Sequence, residues 1–199
     1  MATVIMGLGN PGPEYAKTRH NAGRMAVEAL AAQEGFDGFA LRKAASASVT
    51  EGSIEGEKTV LVLPEVYMNH SGKAAAPFVK SVKAAKKLLV VRDDLDMPLG
   101  SLKMTMYGRG SGGHKGVESI MRSLKTKEFA QLKVGISGAT PKGKLRKPAG
   151  EEKVVQHVIG KFSPKEDLLL KETLKKAAEA CALFASEGIE KAMLFANTK

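Results

Sequence analysis

Thr3-Val4-Ile5-Met6 runs into Gly7-Leu8-Gly9-Asn10-Pro11-Gly12-Pro13-Glu14-Tyr15, and the chain then reaches Thr18-Arg19-His20-Asn21. The apolar opening reads as a short buried strand. Three glycines and two prolines then force a tight, rigid, non-helical loop, because glycine admits conformations closed to other residues and proline fixes φ. That loop delivers two polar groups to the place where a sheet edge meets solvent. Asn10 offers an amide that both donates and accepts hydrogen bonds. His20 carries the one side chain whose unperturbed pKa suits proton transfer near neutrality. The spacing Gly7-x-Gly9-x-x-Gly12 also fits a dinucleotide fingerprint, which needs a helix at the third glycine and a carboxylate about 20 residues on. Pro11 and Pro13 oppose such a helix, and residues 30–33 supply no acid. NAD or flavin binding is therefore not expected.

Outward from this loop the pattern alternates. Residues 21–34 carry Met25, Ala26, Ala29 and Leu30 at helical spacing, with Gly35 as a stop. Residues 47–50 and 58–63 read as two strands joined across the turn region 52–56, and Pro64 ends the second. Residues 71–85, with Ala75, Phe78, Val79 and Val82 on one face, predict a helix that contains or is bent by Pro77. Leu88-Leu89-Val90-Val91 has the unbroken apolar character of a strand buried on both faces, and Asp93, Asp94 and Asp96 are expected just past its end. Residues 102–107 alternate like a half-buried strand. A glycine-rich loop, 108–113, leads into a helix over 115–124, and residues 132–136 form another strand. Residues 138–150 read as a mobile basic flap carrying Lys142, Lys144, Arg146 and Lys147. Ser163-Pro164-Lys165-Glu166 has the form of a capping box opening a helix that continues over 168–185, and a last short helix covers 189–195. Strands interleaved with helices in this order predict a single three-layer α/β domain.

The charge balance is the unusual part of the composition. Thirty-one Lys and Arg against 21 Asp and Glu give a net charge of +10, which points to a polyanionic partner, most simply nucleic acid. Aromatic residues make up 5% and Trp is absent, so backbone phosphates are a better target than stacked bases. The single cysteine, Cys181, lies in a helical pattern, reads as a small core residue and fits a reducing compartment. No leader segment and no apolar run of membrane-spanning length is visible, so a soluble cytoplasmic protein is expected.

Four histidines narrow the chemistry: His20, His70, His114 and His157. His157 sits in a mixed apolar segment and reads as a half-buried structural residue. No pair has the short spacing that makes a metal site specific, so no metal is expected. Ser111 lies in Gly108-Arg109-Gly110-Ser111-Gly112-Gly113, but a nucleophile elbow requires a glycine where Arg109 stands. A phosphate-binding P-loop motif is also missing. What remains is a histidine with a carboxylate and two amides: His20, Asp93 or Asp96, Asn10 and Asn69. A carboxylate that accepts from one ring nitrogen fixes the tautomer and makes the other nitrogen a base toward water. Asn69 can aim an amide N–H at a developing oxyanion, or simply cap the helix that follows.

These motifs resemble those of bacterial-type peptidyl-tRNA hydrolases. The resemblance is carried by G-L-G-N-P-G-x-E-Y-x-x-T-R-H-N over 7–21, Y-M-N-x-S-G-K over 67–73 and R-D-D-L-D-M-P-x-G over 92–100. G-G-H-x-G over 112–116 and V-x-x-H-V-I-G-K-F ending at Phe162 extend it over nearly the whole chain. It implies one α/β domain with a mixed twisted sheet flanked by helices, usually monomeric, that hydrolyses the ester between a peptide and the tRNA 3′ end. No metal or organic cofactor is implied. His20 matches the general base and Asp93 its supporting carboxylate. Asn10 matches the residue that helps tell blocked from free aminoacyl-tRNA. Tyr15, Tyr67 and Asn69 match substrate-contacting positions, Asn69 also being linked to the water and the carbonyl. His114 is grouped with the substrate-binding positions. Lys103, Arg109, Lys115, Lys133 and the basic flap are expected to meet tRNA phosphates. Two positions depart from the family pattern: Lys115 stands where Asn is usual, and Lys133 where Arg is common. A non-catalytic RNA-binding module on the same scaffold is the alternative.

Overall fold

The computed structural model describes residues 1–140 and 144–198. In chain order its elements are β1 (Thr3–Gly7), α1 (Ala22–Gln33), β2 (Ala40–Arg42), β3 (Ala47–Ile54), β4 (Glu57–Pro64), α2 (Ser71–Ala75), α3 (Val82–Ala85) and β5 (Leu88–Pro98). They continue with β6 (Leu102–Thr105), α4 (Lys115–Leu124), β7 (Ala130–Ala139), β8 (Leu145–Arg146), α5 (Glu151–Ile159), α6 (Asp167–Ser186) and α7 (Ile189–Asn197). All the strands join one sheet in the order β2-β3-β4-β1-β5-β7-β6, with β8 added to β7. The centre, β4-β1-β5-β7, is parallel, while β2, β3, β6 and β8 pair antiparallel at the flanks. The sheet is mixed, as expected.

Alternation along the central strands divides the core in two. Ile5, Leu61, Leu89 and Leu132 face one way and are covered by α1, α6 and α7. Val4, Met6, Val62 and Val90 face the other way and are covered by α2 and α4. Burial on both faces is why these strands read as unbroken apolar runs. α1 lies unusually close to the sheet: a Cβ on Gly23 would stand 2.2 Å from the Val91 carbonyl oxygen, and one on Gly7 would stand 2.6 Å from the Gly23 oxygen. Main chain thus packs against main chain, and the loop before α1 is held over the C-terminal ends of β1 and β5.

The sequence expectations fail where tertiary pairing or a breaker overrides local pattern. The helix expected over 71–85 is divided: α2 ends at Ala75, Pro77 follows, and α3 restarts behind Ser81, whose hydroxyl accepts from the Ala84 N–H at 3.1 Å. Proline's missing donor and its clash with the preceding turn account for the break. Val82, expected on the apolar face, is 53% exposed. The strand expected over 88–91 continues to Pro98 because β7 pairs with it as far as Asp94 and again at Pro98, so Asp93, Asp94 and Asp96 lie within it rather than past its end. The strand expected over 102–107 stops at Thr105. β2, β8 and α5 were not foreseen. Lys142 lies outside the described residues, and the rest of the expected mobile flap includes β8, bound to Gly138 and Ala139 of β7. The capping box at Ser163 forms in part: the Glu166 carboxylate accepts from both the Ser163 N–H and its hydroxyl at 2.8 Å, and regular helix begins at Asp167.

Candidate active site

The site is built where two loops meet β5. The first loop, residues 8–21, is tied to itself and to the C-terminal part of the chain. The Asn21 side chain accepts from the Asn10 N–H at 2.8 Å and donates to the Asn10 carbonyl at 3.0 Å. Arg19 grips Glu166 through both terminal nitrogens at 2.8 and 3.0 Å, donates to the Ile136 carbonyl at 3.0 Å and lies 4.6 Å over the Phe162 ring. Its N–H bonds the Gly160 carbonyl at 2.9 Å. A bidentate guanidinium fixes orientation as well as distance, so His20, the next residue, starts from an immobilised backbone. The second loop, residues 108–114, is held by Gln131, whose amide donates to the carbonyls of Arg109 at 3.3 Å and Gly110 at 3.1 Å.

Both loops aim a histidine at one oxygen. His20 Nδ1 lies 2.8 Å and His114 Nε2 2.9 Å from Asp93 Oδ1. His114 Nδ1 accepts from the Val117 N–H at 3.4 Å, capping α4, so the proton of that ring belongs on Nε2 and is donated to Asp93. His20 likewise donates from Nδ1. Its Nε2 has no hydrogen-bond partner among the described residues, and His20 lines the cleft. Burial pushes the Asp93 carboxyl up, but the two imidazoles together overcome it and hold the group far below the usual carboxylate range. Burial pushes the His20 imidazole down, Asp93 more than compensates, and its pKa ends above the ordinary 6.5. Burial wins at His114, with His20 and Arg92 assisting, and its pKa ends below 6.5. The pair is thereby split into a ring that can take up a proton and one that stays neutral.

The two amides lie on the first loop and on the 68–70 turn that packs against it. Asn10 Oδ1 accepts from the Met68 N–H at 2.8 Å, which leaves its NH₂ to donate and brings the 68–70 turn against the first loop. Asn69 is exposed on that turn. Tyr15 and Tyr67 meet edge to face, ring centres 6.4 Å apart. The cleft itself has a volume of about 350 Å³ and is lined by His20, Asp93 and His114 together with Val154, Val155 and Val158 of α5. Lys147 and Asp96, both in its lining, form an ion pair.

The expected cations divide by environment. Lys103, Arg109 and Lys115 are exposed. Lys133 is opposite Lys103 in register, but its ammonium is 3.1 Å from the Asp94 carboxylate, which Arg92 also contacts at 3.2 Å. It is a neutralised cation. His114 needs correction as a substrate contact: it is 8% exposed and both ring nitrogens are already engaged, so it serves Asp93 and the α4 cap. Sequence reasoning missed Glu166, Arg92 and Gln131. Only Arg19, inside T-R-H-N, carried a visible signal for the clamp.

His20, Asp93 and His114 offer ligand atoms within 4.8 Å of one another and are the group among the described residues that could hold a metal ion. Both imidazole N–H groups point at one carboxylate oxygen, and a cation in that space would have to displace both hydrogen bonds.

A three-layer α/β fold with an imidazole–carboxylate centre, one nitrogen left toward a cleft, defines a protein equipped for hydrolysis by an activated water. The family model described as peptidyl-tRNA hydrolase matches residues 4–199. A peptidyl-tRNA hydrolase of Chloroflexus aggregans is 39% identical over 96% of each chain. One of Brevibacillus brevis is 39% identical over 98% of this chain and 97% of its own. The crystal structure of peptidyl-tRNA hydrolase from Acinetobacter baumannii superposes with a TM-score of 0.86 at 35% identity, covering 99% of this chain and 95% of that one. The chain belongs to the peptidyl-tRNA hydrolase family.

Proposed function

We propose that this protein hydrolyses the ester joining a peptide, or another N-blocked aminoacyl group, to the 3′ end of tRNA and so returns the tRNA for reuse. The observation that carries the reading is the 2.8 Å contact of His20 Nδ1 with Asp93, which leaves Nε2 as an acceptor at the cleft. Nε2 takes a proton from water as the oxygen attacks the ester carbonyl. The Asn69 amide, and an N–H of the loop, stabilise the oxyanion that forms. Collapse of the intermediate breaks the bond to the tRNA 3′ oxygen, and the imidazolium returns its proton to that leaving oxygen. Asn10, with its NH₂ available, contacts the acyl group beside Tyr15 and Tyr67. Lys103, Arg109, Lys115 and the described part of the basic flap meet phosphates, with Lys133 acting through the Asp94 network. No metal enters these steps.

Among the described residues no helix is long and apolar enough to cross a membrane; we read the protein as a cytoplasmic monomer. The test is a single-turnover assay with an N-acetylated aminoacyl-tRNA. Release of the blocked amino acid and intact tRNA is expected. Binding without release would overturn the reading in favour of a non-catalytic RNA-binding protein.

A further inference from the structure

The stretch from Val66 to Arg92 contains no Asp or Glu, yet it holds Lys73, Lys80, Lys83, Lys86 and Lys87, all exposed. The last three surround α3, at the N-terminal end of β5. β5 reaches Asp93 five residues after Leu88, about 17 Å at roughly 3.3 Å per residue, so this end of the sheet is remote from the cleft. A second cleft of about 420 Å³ lies here, bordered by Met1, Lys83, Lys86, Lys87, Tyr107 and Phe184. The Lys86 ammonium is 6.0 Å from the Tyr107 ring centre. Lys127 adjoins it, its carbonyl accepting from the Gly108 N–H at 2.8 Å. The only carboxylate paired with any of these lysines among the described residues is Glu128, 4.0 Å from Lys86.

Such a cluster repels itself. Lys83 lies on α3, which ends at Ala85, and Lys86 and Lys87 follow it directly, so three like charges crowd one end of a four-residue helix. An anion at the cleft would remove that repulsion. A polymer of evenly spaced phosphates matches several ammonium groups along one edge, and the half-buried Tyr107 ring offers a face for a ribose or base. We propose that this lysine-rimmed cleft is a second RNA contact, separate from the hydrolytic site, that holds backbone phosphates irrespective of sequence. The inference rests on the reading of the protein as a tRNA-acting enzyme.

The experiment uses deacylated full-length tRNA and a hairpin reproducing its acceptor arm, each titrated by fluorescence anisotropy across a range of KCl. The variant carrying Lys83→Gln, Lys86→Gln and Lys87→Gln should bind full-length tRNA roughly tenfold more weakly near 0.1 M salt. Its log–log salt slope should be shallower by about 2 to 3, since each lost phosphate contact removes about 0.9. Lys171→Gln, Lys175→Gln and Lys176→Gln on α6 remove the same charge elsewhere and should leave the slope unchanged. Weakening confined to full-length tRNA assigns the cleft to the outer part of the substrate's own tRNA; weakening with both RNAs assigns it to the acceptor arm. A slope equal to wild type on both RNAs, or an equal change in the α6 control, overturns the proposal. If wild type bound neither RNA, the proposal would fall, while the hydrolase reading is judged separately by the single-turnover assay.

Discussion

The loop carrying His20 and the loop carrying His114 bring the same ring to the same carboxylate oxygen at nearly the same distance, yet they leave different nitrogens over. The first loop is clamped by Arg19 and Glu166, and its imidazole has 16% of its side chain exposed, with Nε2 at the cleft. The second is a glycine loop, with positive φ at Gly108, Gly112 and Gly113, that tucks its imidazole behind the carboxylate and spends Nδ1 on the α4 cap. The difference teaches that chemistry at such a centre is decided by the leftover nitrogen rather than by the contact with the acid. On the proposed mechanism one histidine acts and the other holds the acid ionised and aimed.

The comparison breaks most visibly at His20. His20→Ala should lower single-turnover hydrolysis by roughly 10² to 10⁴, the range for a general base, with the far-UV circular dichroism unchanged. Full turnover in that variant would remove the distinction between the two rings. Asp93→Asn should cost on the order of 10² or more, because the imidazole loses its tautomer control and its counter-charge. The pH dependence sharpens the point. Hydrolysis needs neutral His20, so the acid limb of the rate profile should have its midpoint above 6.5 in wild type and move to lower pH in Asp93→Asn. The raised His20 pKa also stabilises the fold below the unfolded-state value near 6.5, and that contribution is lost as pH rises through the folded-state value.

His114→Gln should act chiefly on stability, by about 1 to 3 kcal/mol in chemical denaturation, since a buried partner of Asp93 and of the Val117 N–H is disturbed. Its rate loss should be smaller than that of His20→Ala. A larger rate loss than His20→Ala would invert the assignment. The smallest effect is expected from Glu166→Gln, on the order of 1 kcal/mol. The Glu166 carboxyl is raised by burial but lowered further by Arg19 and Ser163, to about 2. The clamp's contribution is therefore present above the ordinary value near 4.5 and fades as pH falls toward 2, which a melting series across acid pH would reveal.

The parts of this molecule that were legible in the sequence are those governed by local rules. The Gly7 to Asn21 loop, the apolar runs of β1 and β5, the periodic face of α4 and the serine start before α6 each announce themselves within a few residues. The residues alone left Asp93 and Asp96 as alternative partners for His20, and only the resemblance of R-D-D-L-D-M-P-x-G to the family pattern singled out Asp93. What was hidden depends on distant pairing. Two-residue β8 exists because β7 offers it an edge, and α5 carries too few buried residues to show a clear stripe. Arg19 and Glu166 are 147 positions apart. His114 was grouped with the substrate-binding positions because nothing in Gly112-Gly113-His114 indicates that the chain turns inward there.

Gly23 sets a condition on how this enzyme can change. With the Val91 carbonyl standing where a side chain would begin, the helix that follows His20 is spaced from the strand of Asp93 by main-chain atoms alone. Substitutions in the surrounding core can alter volume and stability without a lever on that separation. Any side chain at position 23 would push α1 off β5, and with it the backbone that carries His20 away from the strand of Asp93.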